Sequence, residues 1–228
     1  MDQKKLNQQS QHWENNFSSK PEMFGLDPSL SAKKALKLFQ EKNIKSVIEL
    51  GAGLGRDTIF FGKNLIHTIA LDYSPSGIKV IDQKIKKANL SKYISSKLFD
   101  VREKLPFEDN SIDACYSHML YCMALTTEDL AKLNNEIKRI LKPGGINIYT
   151  VRHTNDGDFQ NGNHIGEDLY ENDGFIVHYF SEEKVNSLLV MEYIKVGNKF
   201  ALLMFGSRVI FSFPHWTFSL EDEFNNAL

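Results

Sequence analysis

A glycine-rich turn and two carboxylates stand where a nucleotide-like ligand would be held. The run Glu49-Leu50-Gly51-Ala52-Gly53-Leu54-Gly55-Arg56-Asp57 follows a short apolar stretch, Ser46-Val47-Ile48-Glu49-Leu50. Glycines after a first strand let a ligand approach the backbone and admit left-handed dihedrals. The dinucleotide fingerprint is G-x-G-x-x-G. Here the third glycine comes one residue early, at Gly55, and Arg56 stands where that fingerprint wants glycine. Glu49 adds a carboxylate beside the turn, which serves a pyrophosphate poorly and a cationic ligand well. Asp72 ends a second apolar stretch in Ala70-Leu71-Asp72-Tyr73. A carboxylate there can accept the hydroxyl hydrogens of a ribose. Asp72 thus supports any adenosine ligand, and Glu49 with the glycine spacing selects among them.

Three more segments follow in order: Phe99-Asp100-Val101, then Leu105-Pro106-Phe107 through Ser111-Ile112-Asp113, then Leu141-Lys142-Pro143-Gly144-Gly145. With Glu49 to Gly55 and with Asp72, they resemble the class I S-adenosylmethionine-dependent methyltransferases from about Val47 through Val151, and more loosely to Leu189. Their cofactor carries a sulfonium and an ammonium group and no phosphate, in keeping with Glu49. Gly55-Arg56-Asp57-Thr58 is also similar, more weakly, to the tellurite-resistance and thiopurine branch, which acts on small molecules. The resemblance implies cofactor contacts from Glu49, Gly51, Ala52, Gly53, Asp57, Asp72, Tyr73, Asp100, Val101 and Ser117. It implies methyl transfer by in-line displacement to a small-molecule acceptor, with S-adenosylhomocysteine as product. The sulfonium is already an excellent leaving group, so the protein mainly aligns the nucleophile and excludes water. Two other readings stand beside it: a non-catalytic S-adenosylmethionine-binding module, and an NAD-dependent oxidoreductase, which the glycine spacing and Glu49 oppose.

Acceptor-side residues are read from position. Ser117-His118-Met119 follows the fourth strand, and ligands of such sheets lie beyond the carboxyl ends of strands. His118 is expected in the acceptor pocket, hydrogen-bonded there more readily than acting as a base. Tyr121 and Cys122 face the pocket or pack under the next helix with equal plausibility. Arg152 and His153 open a polar stretch that also holds His164, Glu167, Tyr170 and His178. Its histidines lack the fixed short spacing of metal ligands, so no metal is expected. Ser117-His118-Met119-Leu120 does not match the Asn-Pro-Pro-Tyr motif of amino-methylating relatives. Two cysteines, Cys115 and Cys122, are too few for arsenic-methylating relatives, for a disulfide framework or for a zinc site.

The elements that must hold these residues alternate. Leu6 to Phe17 reads as a short helix with Trp13 and Phe17, which can close over the cofactor. Ser31 caps a helix carrying Ala35, Leu36 and Phe39. Strands are expected at Ser46–Leu50, His67–Leu71, Tyr93–Phe99, Ile112–Tyr116 and Ile146–Val151. Helices follow the glycine turn to about Lys63, at Pro75–Ala88 and at Thr127–Leu141, where Leu130, Leu133, Ile137 and Leu141 recur at helical spacing. Residues 152–180 read as a long loop with little periodicity. Ser181 then caps a helix with Val185, Leu188 and Leu189 inside. Gly197-Asn198 and Gly206-Ser207 look like hairpin turns between strands Met191–Val196, Lys199–Phe205 and Arg208–Phe213. The pattern is α/β, a three-layer sandwich around a Rossmann-like, mostly parallel sheet with an antiparallel C-terminal edge. Its count of about seven strands comes from the resemblance. One domain over 1–228 is expected, with 1–30 as a lid segment and 152–180 as an insertion over the acceptor pocket.

Composition narrows the partners. The 228 residues are 42% hydrophobic and 25% charged, with net charge −2. That balance gives nucleic acid no electrostatic support. Met1 to Ser10 lacks the apolar core of a signal peptide. Phe200 to Phe218 is the most apolar stretch, but a membrane span wants ~20 mostly apolar residues and this one is broken by Gly206, Arg208 and Pro214. A cytoplasmic enzyme with no membrane partner is expected, with a homodimer through the C-terminal edge as a possible assembly.

Overall fold

The parallel sheet forms because five short apolar stretches are separated by segments with helical periodicity. A computed structural model describes residues 3–185, with the backbone of three further strands. Strands β1 (Ser46–Leu50), β2 (His67–Asp72), β3 (Ile94–Leu98), β4 (Ile112–Ser117) and β5 (Leu141–His153) pair in parallel in the order β3-β2-β1-β4-β5. Chain order reverses at β1, which has β2 on one side and β4 on the other. In such sheets the crevice lies beyond the carboxyl ends of the strands at that switch.

Side-chain alternation along the strands makes two faces. Val47, Ala114, Tyr116 and Ile148 pack with Ala35, Phe39 and Phe61 of helices α2 (Leu30–Glu41) and α3 (Arg56–Lys63). Ile48, Leu50, Cys115 and Val151 pack with Leu130, Leu133 and Ile137 of α5 (Thr127–Ile140) on the other face. Helix α4 (Pro75–Lys87) lays Ile81 and Ile85 near Ala70. The caps are local and legible. Thr126 and Asp129 form a reciprocal capping box for α5, and Ser74 caps α4 with Pro75 in its first turn.

Helix α1 (Gln3–Ser19) is longer than expected. Glu14 receives the Ser74 and Ser76 hydroxyls and the Ser76 amide at the start of α4. The cap of α2 is Ser29, whose side chain accepts from the Ala32 amide, in place of the expected Ser31. Ser31 is buried inside the first turn and serves another purpose, described below.

Residues 152–180 correct the loop reading. They contain β6 (Asn163–Gly166), β7 (Leu169–Asn172) and β8 (Phe175–Phe180), an antiparallel set whose last strand runs beside the end of β5. Tight turns at Glu167 and at Asp173-Gly174, all at positive φ, let these strands be short. Ile176, His178 and Phe180 are buried, so the period is two where no helical period was found. His178 is wholly enclosed. Its Nδ1 lies 2.6 Å from the Leu125 carbonyl, and burial with the nearby Lys184 lowers its pKa to about 4.

Beyond β5 the sheet continues through β9 (Phe200–Phe205), β10 (Arg208–Phe213) and β11 (Trp216–Phe218). β9 runs parallel to β5, and β10 runs antiparallel to both β9 and β11, with Phe205 opposite Arg208. The continuous path therefore has one strand more than seven. Residues 182–185 are helical, whereas Leu188, Leu189, the strand Met191–Val196 and its Gly197-Asn198 turn lie outside the described residues. Among the described residues, no helix is long and apolar enough to cross a membrane.

Gly55 is the tightest local test of this packing. It precedes α3 at φ 75°, and a Cβ there would sit 2.7 Å from Ile81 Cγ1. Gly55→Ala is expected to lower stability by about 1–3 kcal/mol through overpacking and left-handed strain. Urea unfolding should show a lower midpoint with an unchanged m-value.

Candidate functional site

A cavity of about 310 Å³ opens beyond the carboxyl ends of β1, β2 and β4. Its floor is the glycine turn. Gly51 and Gly53 have φ of 67° and 56°, and a Cβ on Gly51 would strike Leu120 at 2.9 Å. The left-handed φ favours glycine at both positions, and at Gly51 the close approach of Leu120 requires it. Leu6, Gln9, Ser10, Trp13 and Phe17 of α1 form the roof with Phe24.

Four carboxyl groups line this space in four different environments. Asp72 is buried, and its two oxygens accept from the Gly53 amide at 2.7 Å and the Ser74 amide at 2.9 Å. Burial nevertheless raises its pKa to about 6. Glu49 accepts the Thr58 hydroxyl at 2.5 Å, and burial plus the neighbouring Asp57 push it well above the carboxylate range. Burial also raises Asp57, but hydrogen bonds from Arg56 and Ser29 outweigh it and hold Asp57 below its usual value. Asp57 receives the Ser29 amide at 2.8 Å, the Ser29 hydroxyl at 2.6 Å and the Tyr116 hydroxyl at 3.0 Å. Asp100 is clamped by Arg102, whose Nη2 lies 2.6 Å away and whose Nη1 reaches Asn7 of α1 at 2.7 Å.

The cavity gathers most of the residues that the sequence singled out. Glu49, Gly51, Ala52, Gly53, Asp57, Asp72, Tyr73, Asp100, Val101 and His118 all line it. Four do not. Ser117 is buried behind the wall, and its hydroxyl has no hydrogen-bond partner. Tyr121 is a core residue: its ring stacks on Tyr149 at 4.1 Å, and its hydroxyl joins Asn134 and Asn147 at 2.6 and 3.1 Å. Those partners outbid the cavity for its polar end. Arg152 is turned outward by Asp156 and Asp158, both at 2.7 Å. His153 Nδ1 accepts the Asn155 amide at 2.9 Å in the turn after β5. Cys122 is likewise buried, with its thiol pushed up to about 12.

Sequence reading missed several lining residues. Gln9, Phe24, Arg102, Met119 and Met123 reach the cavity only through tertiary placement. Nor does any residue of 152–180 line it. That hairpin instead carries α1, through Gln9 bonded to Gly174 and Ile176 and through Leu6 packed on Leu169 and Ile176. Among the described residues, no cluster of three or more His, Cys, Asp or Glu suits a metal ion.

Asp72 gives a pH test of the unliganded protein. Its folded pKa of about 6 exceeds the ordinary 3.8, so the folded state holds the extra proton between those values. This group's contribution to stability is therefore full below about pH 3.8 and is lost as pH rises through about 6. Relative to Asp72→Asn, the parent protein should lose on the order of 1–3 kcal/mol between pH 4 and 7. Paired urea titrations across that range would read it, and a pH-independent difference would count against a buried, proton-holding Asp72.

Comparison with known proteins agrees with this geometry. Residues 48–149 match the family model described as a methyltransferase domain. A phosphoethanolamine N-methyltransferase 1 from Triticum aestivum is 41% identical over 102 residues, 44% of this chain and 20% of that protein. A sterol 4-C-methyltransferase from Caenorhabditis elegans is 30% identical over 140 residues, 60% of this chain and 40% of that protein. The chain thus spans well under half the length of these curated relatives. The crystal structure of the cyclase SpnF superposes over 81% of this chain and 70% of that one, with TM-score 0.59 and 14% identity, a likeness of fold. Residues 48–149 of this chain thus match the methyltransferase-domain family, in line with a class I S-adenosylmethionine-dependent methyltransferase.

Proposed function

We propose that this chain binds S-adenosylmethionine in the cavity and transfers its methyl group to a small-molecule acceptor. One observation carries the reading. Segments far apart in sequence, Glu49 to Gly53, Asp72-Tyr73, Asp100-Val101 and His118, converge on one cavity at the switch point of the sheet. The wheat and nematode relatives are named for phosphoethanolamine and a sterol, both small molecules, which supports that class of acceptor.

The residues fit the cofactor. A Cβ on Gly53 would point toward the Phe17 and Phe24 rings of the roof, into space the cofactor would use, whereas Gly51 is packed closely under Leu120. Glu49 meets the ammonium group, and the arriving positive charge draws its raised carboxyl into the ionised form. Asp72 keeps lone pairs for the ribose hydroxyls while holding its two amides. Phe99, Asp100, Val101 and Tyr73 line the part of the cavity that would hold the adenine. Asp57 lines the cavity wall and Ser117 backs it. When bound, the cofactor supplies an electrophilic methyl group on a sulfonium. Trp13, Phe17 and Phe24 then cover the reacting atoms and exclude water.

In this reading residues 1–30 are a lid on a single domain, and 152–180 act on the acceptor side by supporting α1. The enzyme is cytoplasmic, takes no nucleic acid or membrane partner, and pairs with a second copy through the β11 edge.

Two measurements test it. S-adenosylmethionine or S-adenosylhomocysteine at a hundredfold excess over Kd should stabilise the fold by about 2.7 kcal/mol, visible as a raised Tm, whereas NAD should leave it unmoved. Stabilisation by NAD alone would sink the reading. Amide exchange in α1 should slow when the cofactor binds, and equal rates with and without it would remove the lid.

A further inference from the structure

A file of hydroxyl groups runs behind the cavity wall from Asp57 to His118. The Ser29 and Tyr116 hydroxyls both donate to Asp57 Oδ2, so both of their protons are placed. Ser31 Oγ lies 2.8 Å from Ser29 Oγ, 2.8 Å from Tyr116 Oη and 3.0 Å from His118 Nδ1. Its first two neighbours spend their protons on Asp57, so the single Ser31 proton goes to one of them or to His118 Nδ1. Thr150 Oγ1 accepts the Met119 amide at 2.7 Å and lies 3.0 Å from His118 Nδ1. Among the described residues, that nitrogen is the acceptor within reach of the Thr150 proton.

A neutral imidazole carries one N–H, and burial keeps His118 neutral by lowering its pKa. Were the proton on Nδ1, the Thr150 hydroxyl would be left with a buried, unbonded hydrogen. With Nδ1 as acceptor every proton in the file has a place. The N–H then falls on Nε2, the edge that the hydroxyls leave to the cavity His118 lines. The cavity lining is largely apolar, with Leu6, Trp13, Met119, Leu120, Met123 and Leu125 in it, and Asp57 and Arg56 are the charged groups that act on His118.

We propose that His118 is a fixed Nε2–H donor to one oxygen of an acceptor carboxylate carried on an apolar body. The acceptor class rests on the methyl-transfer reading; the tautomer does not. A donor aimed at an amine would occupy the lone pair that must attack. A donor aimed at an alcohol leaves the hydroxyl proton in place, and the acids of the wall are engaged elsewhere: Glu49 by Thr58, Asp57 by Ser29, Tyr116 and Arg56, Asp72 by two amides, Asp100 by Arg102. A carboxylate needs no base. One oxygen accepts from Nε2 and the other forms the O–CH3 bond. The methyl–sulfur bond breaks, and its electron pair stays on the sulfur of S-adenosylhomocysteine. No proton is released.

The test has two arms on the full chain. A long-range ¹⁵N–¹H spectrum without ligands, assigned by loss of the signal in His118→Gln, should show His118 protonated on Nε2 and shifted by added octanoate. Protonation on Nδ1, or no shift, overturns the donor. With S-adenosylmethionine, octanoate should yield its methyl ester without proton release, and octanol, octylamine and octanethiol should not react. His118→Phe should cut kcat/KM about ten- to a hundredfold, the loss of one hydrogen bond to a charged group, and His118→Gln should restore much of it. Turnover of another acceptor in preference to octanoate, or none of octanoate once calorimetry has shown cofactor binding, overturns the carboxylate class. Failure of the cofactor to bind overturns the methyl-transfer reading instead, and the octanoate shift at His118 still decides the donor.

Discussion

The Asp72 carboxylate ties two strand ends together. One oxygen takes the Gly53 amide from the turn after β1, and the other takes the Ser74 amide at the head of α4. Both amides would otherwise be buried without partners, since helix starts and tight turns leave N–H groups unmatched. The distance between the glycine turn and the second strand is thereby set, and so is the floor of the cavity. A buried acid is a costly way to do this, as its raised pKa records. It is tolerated because the same carboxyl can serve a ligand as well as the fold.

The roof is fastened from three sides. Glu14 caps α4, Gln9 pairs with the β7–β8 hairpin, and Asn7 takes Arg102 from the segment after β3. None of these bonds lies within α1 itself. The isolated helix has polar residues on most faces and would be marginal in water. Its order is borrowed from the parts of the molecule it covers.

How much of this could be read in advance depended on range. The parallel strands and the glycine turn were legible because their signals are local: apolar runs, a change of period, and turn residues at fixed offsets. Asp72 and Asp100 were legible because the ends of parallel strands share one edge of the sheet. Tyr121 was not, because whether a tyrosine faces a cavity or a pair of asparagines depends on Asn134 and Asn147 arriving from other elements. The strands of 152–180 were hidden by their polar outer faces and by non-glycine residues in the left-handed turns. Ser31 shows the same limit. A serine two places after a helix cap looks ordinary until Tyr116 and His118 are found against it.

Glu49 and Asp57 show how the packing divides chemical labour between like groups. They lie close enough for each carboxylate to disfavour the other. Asp57 wins the negative charge because α2 begins beside it: the Ser29 amide and hydroxyl converge on it, with Tyr116 and Arg56 completing the set. Glu49 has one hydroxyl, from Thr58, and burial shifts it toward the protonated form. The pair therefore acts as one settled charge held in the wall and one latent charge facing the cavity. A cation entering beside Glu49 gains a carboxylate only by displacing that proton, whereas a neutral ligand finds a carboxylic acid able to donate. The burial that raises Glu49 thus makes the empty cavity less anionic than its four carboxyl groups suggest, and lets ligand charge decide when the second negative charge appears.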